Sequence, residues 1–284
     1  MFSTIGKIIK WIGDHFKGML FLLILAVVFM PNSGRPAKNA NLQEIKLSGP
    51  IISADKILKE IENAQKDKNI KGVLLNVNSP GGAVPPSIEI SYAIRELQKH
   101  KPVIAYASGI MASGSYYSSI YAKKIIANPG SIVGSIGVIM QSADISELMN
   151  TIGVKTQTVK QGTYKEAGTP TREWTTEERA ELETLTKDTY DLFVKDVATA
   201  RGLEINASKS YADAHIFSSQ RAKEVGLIDD IGVKSQAKNL LMKEANISKA
   251  VWKEKDKFQS FMDKLESKTV LKIQSYFYGL KATL

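Results

Sequence analysis

The chain has no cysteine. That excludes a disulfide framework, a thiolate nucleophile and any cysteine-based zinc site. Histidine is nearly as scarce, with three in 284 residues. His15 precedes an apolar N-terminal run, His100 ends a charged helical segment, and His215 sits in an ordinary Ala-His-Ile-Phe context. There is no His-Glu-x-x-His motif and the acids are scattered, so neither a metal nor a cofactor is expected. A nucleophilic serine in this chain has no obvious imidazole base.

Acidic residues are in deficit, leaving a formal net charge of +9. The lysines are nevertheless interleaved with acids, as in Lys59-Glu-Ile-Glu-Asn-Ala-Gln-Lys-Asp-Lys68. That is the pattern of a solvated helix face rather than of a nucleic-acid stripe. Anionic lipid headgroups are the more economical partner for the charge.

One apolar run stands out. Met19–Met30 carries no charge over twelve residues and is closed by Pro31. As a helix it spans about 18 Å, less than a ~30 Å hydrocarbon core. A signal-peptide core, a buried helix and an anchor lengthened by its flank all compete. The flank favours the anchor. Phe2, Ile5, Ile8, Ile9, Ile12 and Phe16 form an apolar face, and Lys7, Lys10 and Lys17 can snorkel to headgroups. Pro31-Asn-Ser-Gly-Arg-Pro36 is also a poor cleavage site. The lysines precede the run, which puts the N-terminus in the cytoplasm and the rest outside. The expected organisation is a cytoplasmic flank and transmembrane anchor over 1–30, a linker over 31–41, a catalytic domain over 42–235 and a helical extension over 236–284.

Within the domain, apolar runs and helical periods alternate. Strands are expected at 45–51, 72–78, 102–107 and 124–127, and helices at 54–66, 85–99, 116–122, 175–201 and from Ala237 onward. Strands separated by helices argue for βαβ units and a largely parallel sheet, with functional groups at strand C-terminal ends.

Two glycine-bearing junctions fall at such ends. Ser113 lies in Gly109-Ile-Met-Ala-Ser-Gly-Ser-Tyr-Tyr117, where it is either a helix N-cap or a nucleophile. Ser79-Pro-Gly-Gly82 is either a plain turn or a donor of glycine amides to developing negative charge. Lys165, in Gln161-Gly-Thr-Tyr-Lys-Glu166, is the best alternative base, because a neutral lysine amine can take a serine proton. A free amine protonates near 10.4, and desolvation lowers that value.

Taken with Gly130-Ser-Ile-Val-Gly-Ser-Ile-Gly-Val138, Pro170-Thr-Arg172, Thr176-Glu-Glu-Arg179 and Gln220-Arg-Ala-Lys-Glu-Val-Gly-Leu-Ile-Asp229, these segments resemble signal peptide peptidase A. This is a family of membrane-anchored Ser-Lys serine peptidases, matched here in its short single-domain form over about 45–233. The resemblance implies a crotonase-like/ClpP-like βαβ superhelix in the bacterial inner membrane, with a periplasmic catalytic domain. It assigns Ser113 as nucleophile, Lys165 as general base, Ser135 as the residue orienting the lysine, and the Gly82 and Gly114 amides as the oxyanion hole. It further implies cleaved signal peptides as substrates, and a homo-oligomeric ring in which Lys165 reaches a neighbour's Ser113. Two departures stand out. Ser115 occupies a position where the family commonly has glycine, and so is expected to narrow the site or offer a rival hydroxyl. Glu166 replaces the usual aspartate. An acyl-CoA enzyme of crotonase type and an inactive ring scaffold are the competing readings.

Overall fold

Alternating buried runs and amphipathic helices dictate a parallel sheet, and the computed structural model has one; it describes residues 2–29 and 39–254. Helix α1 (Phe2–Phe29) is followed by β1 (Leu42–Ser48), α2 (Asp55–Lys66), β2 (Gly72–Ser79), α3 (Val84–Gln98) and β3 (Val103–Ala112). Then come α4 (Gly114–Tyr117), β4 (Lys124–Ala127), β5 (Ile132–Gly134), α5 (Ser146–Thr151) and α6 (Thr176–Arg201). The chain continues through α7 (Ser208–Tyr211), β6 (Ile216–Ser218), α8 (Ser219–Glu224), β7 (Asp230–Ile231) and α9 (Lys234–Glu244).

The main path of the sheet is β1-β2-β3-β4-β7, with every pairing parallel. β2 shows why. Val73, Leu74, Leu75 and Val77 are all fully buried, as a strand covered on both faces requires. One face is covered by α2 through Ile57 and Ile61, α3 through Ile90 and Ile94, and α6 through Phe193 and Val197. The other is covered by α9, whose Ala237 and Leu241 pack with Leu42, Leu74 and Ile104. Each large aliphatic side chain buried in this way contributes about 1.5–3 kcal/mol.

β3 divides between two partners. Ile104–Ala107 pairs with β4, whereas Ile110–Ala112 pairs with β5. The change occurs at a break in register between Val77 and Ser79 of β2. Asn78 fills it: its Oδ1 accepts the Ile110 N–H at 3.0 Å, and a Cβ on Gly109 would lie 2.5 Å from that same oxygen. Only glycine leaves room for this side chain. The far half of β3 thereby bends toward β5 and ends at Ser113.

The helix expected from Ala237 onward stops at Glu244. Asn246 then takes a left-handed conformation (φ 54°), a common way to end a helix. The chain returns extended, and Trp252 bridges to Leu42 beside β1. The expected helix at 116–122 is shorter and starts earlier, as α4, with turns after Tyr117. Among the described residues no helix is long and apolar enough to cross a membrane. The proposed anchor at 19–30 falls partly outside what is described: Met30 and the side chains of 24–29 are not included, nor are 31–38 or 255–284.

Candidate active site

β3 ends at Ala112 and α4 begins at Gly114, leaving Ser113 alone at the junction with φ 52° and ψ −127°. A residue carrying a Cβ adopts such backbone at a cost of about 1–3 kcal/mol. The surroundings enforce it. The Ser113 N–H donates to the Gly134 carbonyl at 2.7 Å, and its carbonyl accepts from Tyr117 N–H at 3.0 Å. The two tyrosines that follow anchor α4. The buried Tyr116 hydroxyl donates to Leu227 O at 2.8 Å, and the Tyr117 hydroxyl donates to the Asp196 carboxylate. Burial, and then the hydrogen bond to Asp196, push the Tyr117 phenol far above its usual range, so it stays a donor. Ser113 has no side-chain capping bond to α4.

The Ser79-Pro-Gly-Gly82 turn presses directly against this elbow. A Cβ on Gly81, at φ 99°, would stand 2.7 Å from Gly114 N and 2.8 Å from Ser113 Cβ. Gly82 is bracketed by Ile51, whose N–H donates to Gly81 O and whose carbonyl accepts from Ala83 N–H, both at 2.8 Å. That bridge uses the groups on either side of Gly82 and leaves its own N–H facing away from Ile51. A Cβ on Gly114 would lie 3.3 Å from Gly82 N. The Gly82 and Gly114 amides are therefore neighbours, and both residues line one cleft with Ser113. Among the described residues neither amide has an acceptor. Val84, Ile88, Tyr117, Val138, Leu192 and Phe193 form the apolar walls of the cleft.

Ser115 does not behave as expected. It is fully buried. Its hydroxyl accepts from Ala112 N–H at 2.9 Å and donates to Ser79 O at 2.6 Å. It neither narrows the cleft nor competes with Ser113. It ties the end of β2 to the end of β3, holding the glycine turn against the elbow. Sequence reasoning also missed Asn78, Ser87, Tyr117 and Asp196. A polar Asn78 within a buried apolar strand was the available signal.

Ser135 follows Gly134, whose register partner is Ala112, so Ser113 and Ser135 leave adjacent strands at the same level. Neighbouring strands lie about 4.8 Å apart. Ser135 also has positive φ (52°), and its N–H donates to His215 O at 2.7 Å. Lys165 is elsewhere. It is exposed, in a run of turns closed by Lys165 N–H to Gly162 O (3.3 Å) and Thr169 N–H to Glu166 O (2.9 Å). It does not line the Ser113 cleft. The next residue, Glu166, is tied through Arg172 to Glu178 in the first turn of α6, whereas α6 meets the cleft at Thr189, Leu192 and Phe193. The eleven residues of helix from Glu178 to Thr189 span roughly 16 Å. Within one chain, then, the structure brings together Ser113, Gly82, Gly114 and Ser135 and leaves Lys165 apart. Among the described residues no group of three His, Asp or Glu could hold a metal ion.

A serine on a strained strand-to-helix elbow, beside two unclaimed glycine amides in an apolar cleft, defines a site of the serine-nucleophile class. Residues 95–248, just over half of the sequence, match Peptidase family S49, and the chain belongs to that family. The matched span contains Ser113, Gly114, Ser135 and Lys165, and Gly82 lies ahead of it. The chain is 44% identical over 188 residues to "Putative protease MJ0651" of Methanocaldococcus jannaschii, covering 66% of this chain and 60% of that protein. It is 37% identical over 194 residues to "Putative signal peptide peptidase SppA" of Enterococcus faecium, covering 68% and 56%. The resemblance to signal peptide peptidase A thus holds at the level of the family, and the match spans somewhat over half the length of these relatives. A solved membrane-bound stomatin-specific protease is similar over 72% of this chain and 84% of its own, at 16% identity and a TM-score of 0.49.

Proposed function

We propose that this chain is a membrane-tethered serine endopeptidase that uses a Ser113–Lys165 dyad to degrade remnant signal peptides. The observation that carries the reading is Ser113 held in a strained conformation with the Gly82 and Gly114 amides beside it. Ser113 Oγ attacks the scissile carbonyl while the Lys165 amine takes its proton. The two amides donate to the tetrahedral oxyanion. The C–N bond breaks as the lysine returns the proton to the leaving amine, leaving an acyl-Ser113 ester. Water, deprotonated by the same lysine, then attacks the ester; the C–Oγ bond breaks, the lysine returns the proton to Ser113 Oγ, and the acid leaves. Ser135, one strand away, donates to or accepts from the amine and orients it. Each oxyanion donor is worth about 10²–10³ in turnover.

The base comes from a neighbouring subunit of a ring. The roughly 16 Å of α6 between the Lys165 turn and its own cleft supports this. So does the exposed apolar surface on the arm after β5, where Ile139 (87%), Leu148 (60%), Ile152 (65%) and Val159 (100%) stand in solvent. The apolar cleft walls suit signal-peptide remnants, and residues 19–30 tether the catalytic domain on the periplasmic face of a bacterial inner membrane. The test uses the full chain in detergent with a fluorogenic signal-peptide-like substrate. Ser113→Ala and Lys165→Ala should each be inactive, and mixing them should restore part of the activity. Turnover by Lys165→Ala alone would remove the dyad, and mixtures that stay silent would remove the sharing.

A further inference from the structure

The motif Pro170-Thr-Arg172 with Thr176-Glu-Glu-Arg179 has no role in the chemistry above, yet it builds the densest charged cluster around the Lys165 turn. Arg172 Nη1 donates to Glu178 Oε2 and Nη2 to Glu178 Oε1, both at 2.8 Å, a two-pronged grip. The same Nη2 donates to Glu166 Oε2 at 3.1 Å. Lys160 Nζ reaches that Glu166 oxygen at 2.7 Å. Glu178 is not a free surface acid. It is buried, it closes the capping box of α6, and its Oε2 accepts the Thr175 N–H at 3.0 Å. The cluster therefore joins the residue after Lys165 to the rigid first turn of a 26-residue helix.

We infer that Arg172 is a positioning residue for Lys165: gripping Glu178 and Glu166 together, it fixes the turn that presents the amine. The inference rests on Lys165 being the base. The turn over 162–169 has no strand or helix to hold it, and Lys165 itself is exposed. Consecutive Cα atoms are 3.8 Å apart, so pinning Glu166 pins the root of Lys165. A lysine in place of Arg172 keeps the charge but loses the planar fork, so it cannot hold both carboxylates in the same geometry. The cluster stays charged wherever an amine can act as base. Lys160 and then Arg172 hold the Glu166 carboxyl down to about 2, and Arg172 and then the Thr175 N–H hold Glu178 down to about 2. These depressed values make the clamp complete above the ordinary carboxylate range, and it is lost only as pH falls toward 2.

The test compares wild type, Arg172→Ala, Arg172→Lys, Glu166→Gln, Lys165→Ala and the Arg172→Ala/Lys165→Ala pair in the full chain. It measures kcat and KM across pH and the melting temperature. Arg172→Ala should lower kcat 10- to 100-fold with KM within about twofold, because Arg172 grips the first turn of α6 while the cleft residues of that helix, Thr189, Leu192 and Phe193, lie roughly 16 Å farther along it. Arg172→Lys and Glu166→Gln should fall between it and wild type, and millimolar guanidinium should partly rescue Arg172→Ala. The double variant should be no worse than Lys165→Ala alone. A KM that rises as much as kcat falls, no rescue by guanidinium, or a kcat loss that only tracks lost folded protein overturns the clamp while an inactive Lys165→Ala leaves the dyad standing. Full activity in Lys165→Ala overturns both.

Discussion

Adding one methyl group at Gly114 should cost the enzyme most of its turnover. A Cβ there would stand 2.3 Å from Ser87 Oγ and 3.1 Å from Ser87 Cβ. Ordinary non-bonded contact needs about 3.5 Å, so something must yield by about 1 Å. Ser87 is poorly placed to do so, because its hydroxyl donates to Ala83 O at 2.8 Å and its carbonyl accepts from the Ser118 hydroxyl at 3.2 Å. If the Gly114 amide retreats instead, it leaves the position from which it would meet an oxyanion. A displacement of that size costs about 10²-fold in rate. Gly114→Ala should therefore lower kcat about 100-fold in the fluorogenic assay, with a small change in KM. Ser87→Ala in the same chain removes the 2.3 Å contact and leaves the 3.1 Å one, which neighbours can absorb. The double variant should recover at least about tenfold of the loss, against about 1 kcal/mol for the missing Ser87 hydrogen bond. Gly114→Ala at the wild-type rate, or a double variant no faster than the single, would refute the argument.

Activity should rise with pH as the lysine amine loses its proton, and a flat rate profile from mildly acid to alkaline pH would count against Lys165. Ser115→Gly should lower stability by about 1–3 kcal/mol in denaturant titrations, because Ser79 O and Ala112 N–H lose a buried partner; an unchanged midpoint would mean the tie is idle. Asn78→Ala should cost about 1–3 kcal/mol and reduce activity too, since the bend that delivers Ser113 loses its Ile110 partner. Burial pushes the Asp229 carboxyl up, but the Ile125 N–H, Arg201 and Lys124 together bring it below the usual range. Its contribution is therefore present above about pH 4 and fades as pH falls further. Arg201→Ala should cost about 2–4 kcal/mol near neutrality and less in acid, as melting temperatures at several pH values would show.

The parallel sheet was legible because β2 and the first half of β3 are unbroken apolar runs and α2 and α3 carry clear helical periods. The strand-to-helix junction at Ser113 was legible because small residues follow a buried strand. β5 and β6 were not, since three-residue strands leave no periodicity to read. The end of α9 was missed because apolar residues continue past it, and only the left-handed Asn246 stops the helix. Ser115 was misjudged because a residue's position in a motif does not say which way its side chain turns. The separation of Lys165 from Ser113 was invisible for a related reason. Fifty-two positions of chain say nothing about distance, and the turn that carries Lys165 is held by the first turn of α6, at the far end of that helix from its cleft residues.

The division of β3 between two partners sets where this chain can grow and where it cannot. Side chains on a strand alternate, so one residue gained or lost between Val103 and Ala112 would rotate every later position to the opposite face. Ser113 would then point into the packed interior. No such phase governs the stretch after Ser135, where exposed turns can lengthen without disturbing the sheet. Variation in length among homologous chains should accordingly gather in that arm and be absent from the ten residues that lead to Ser113.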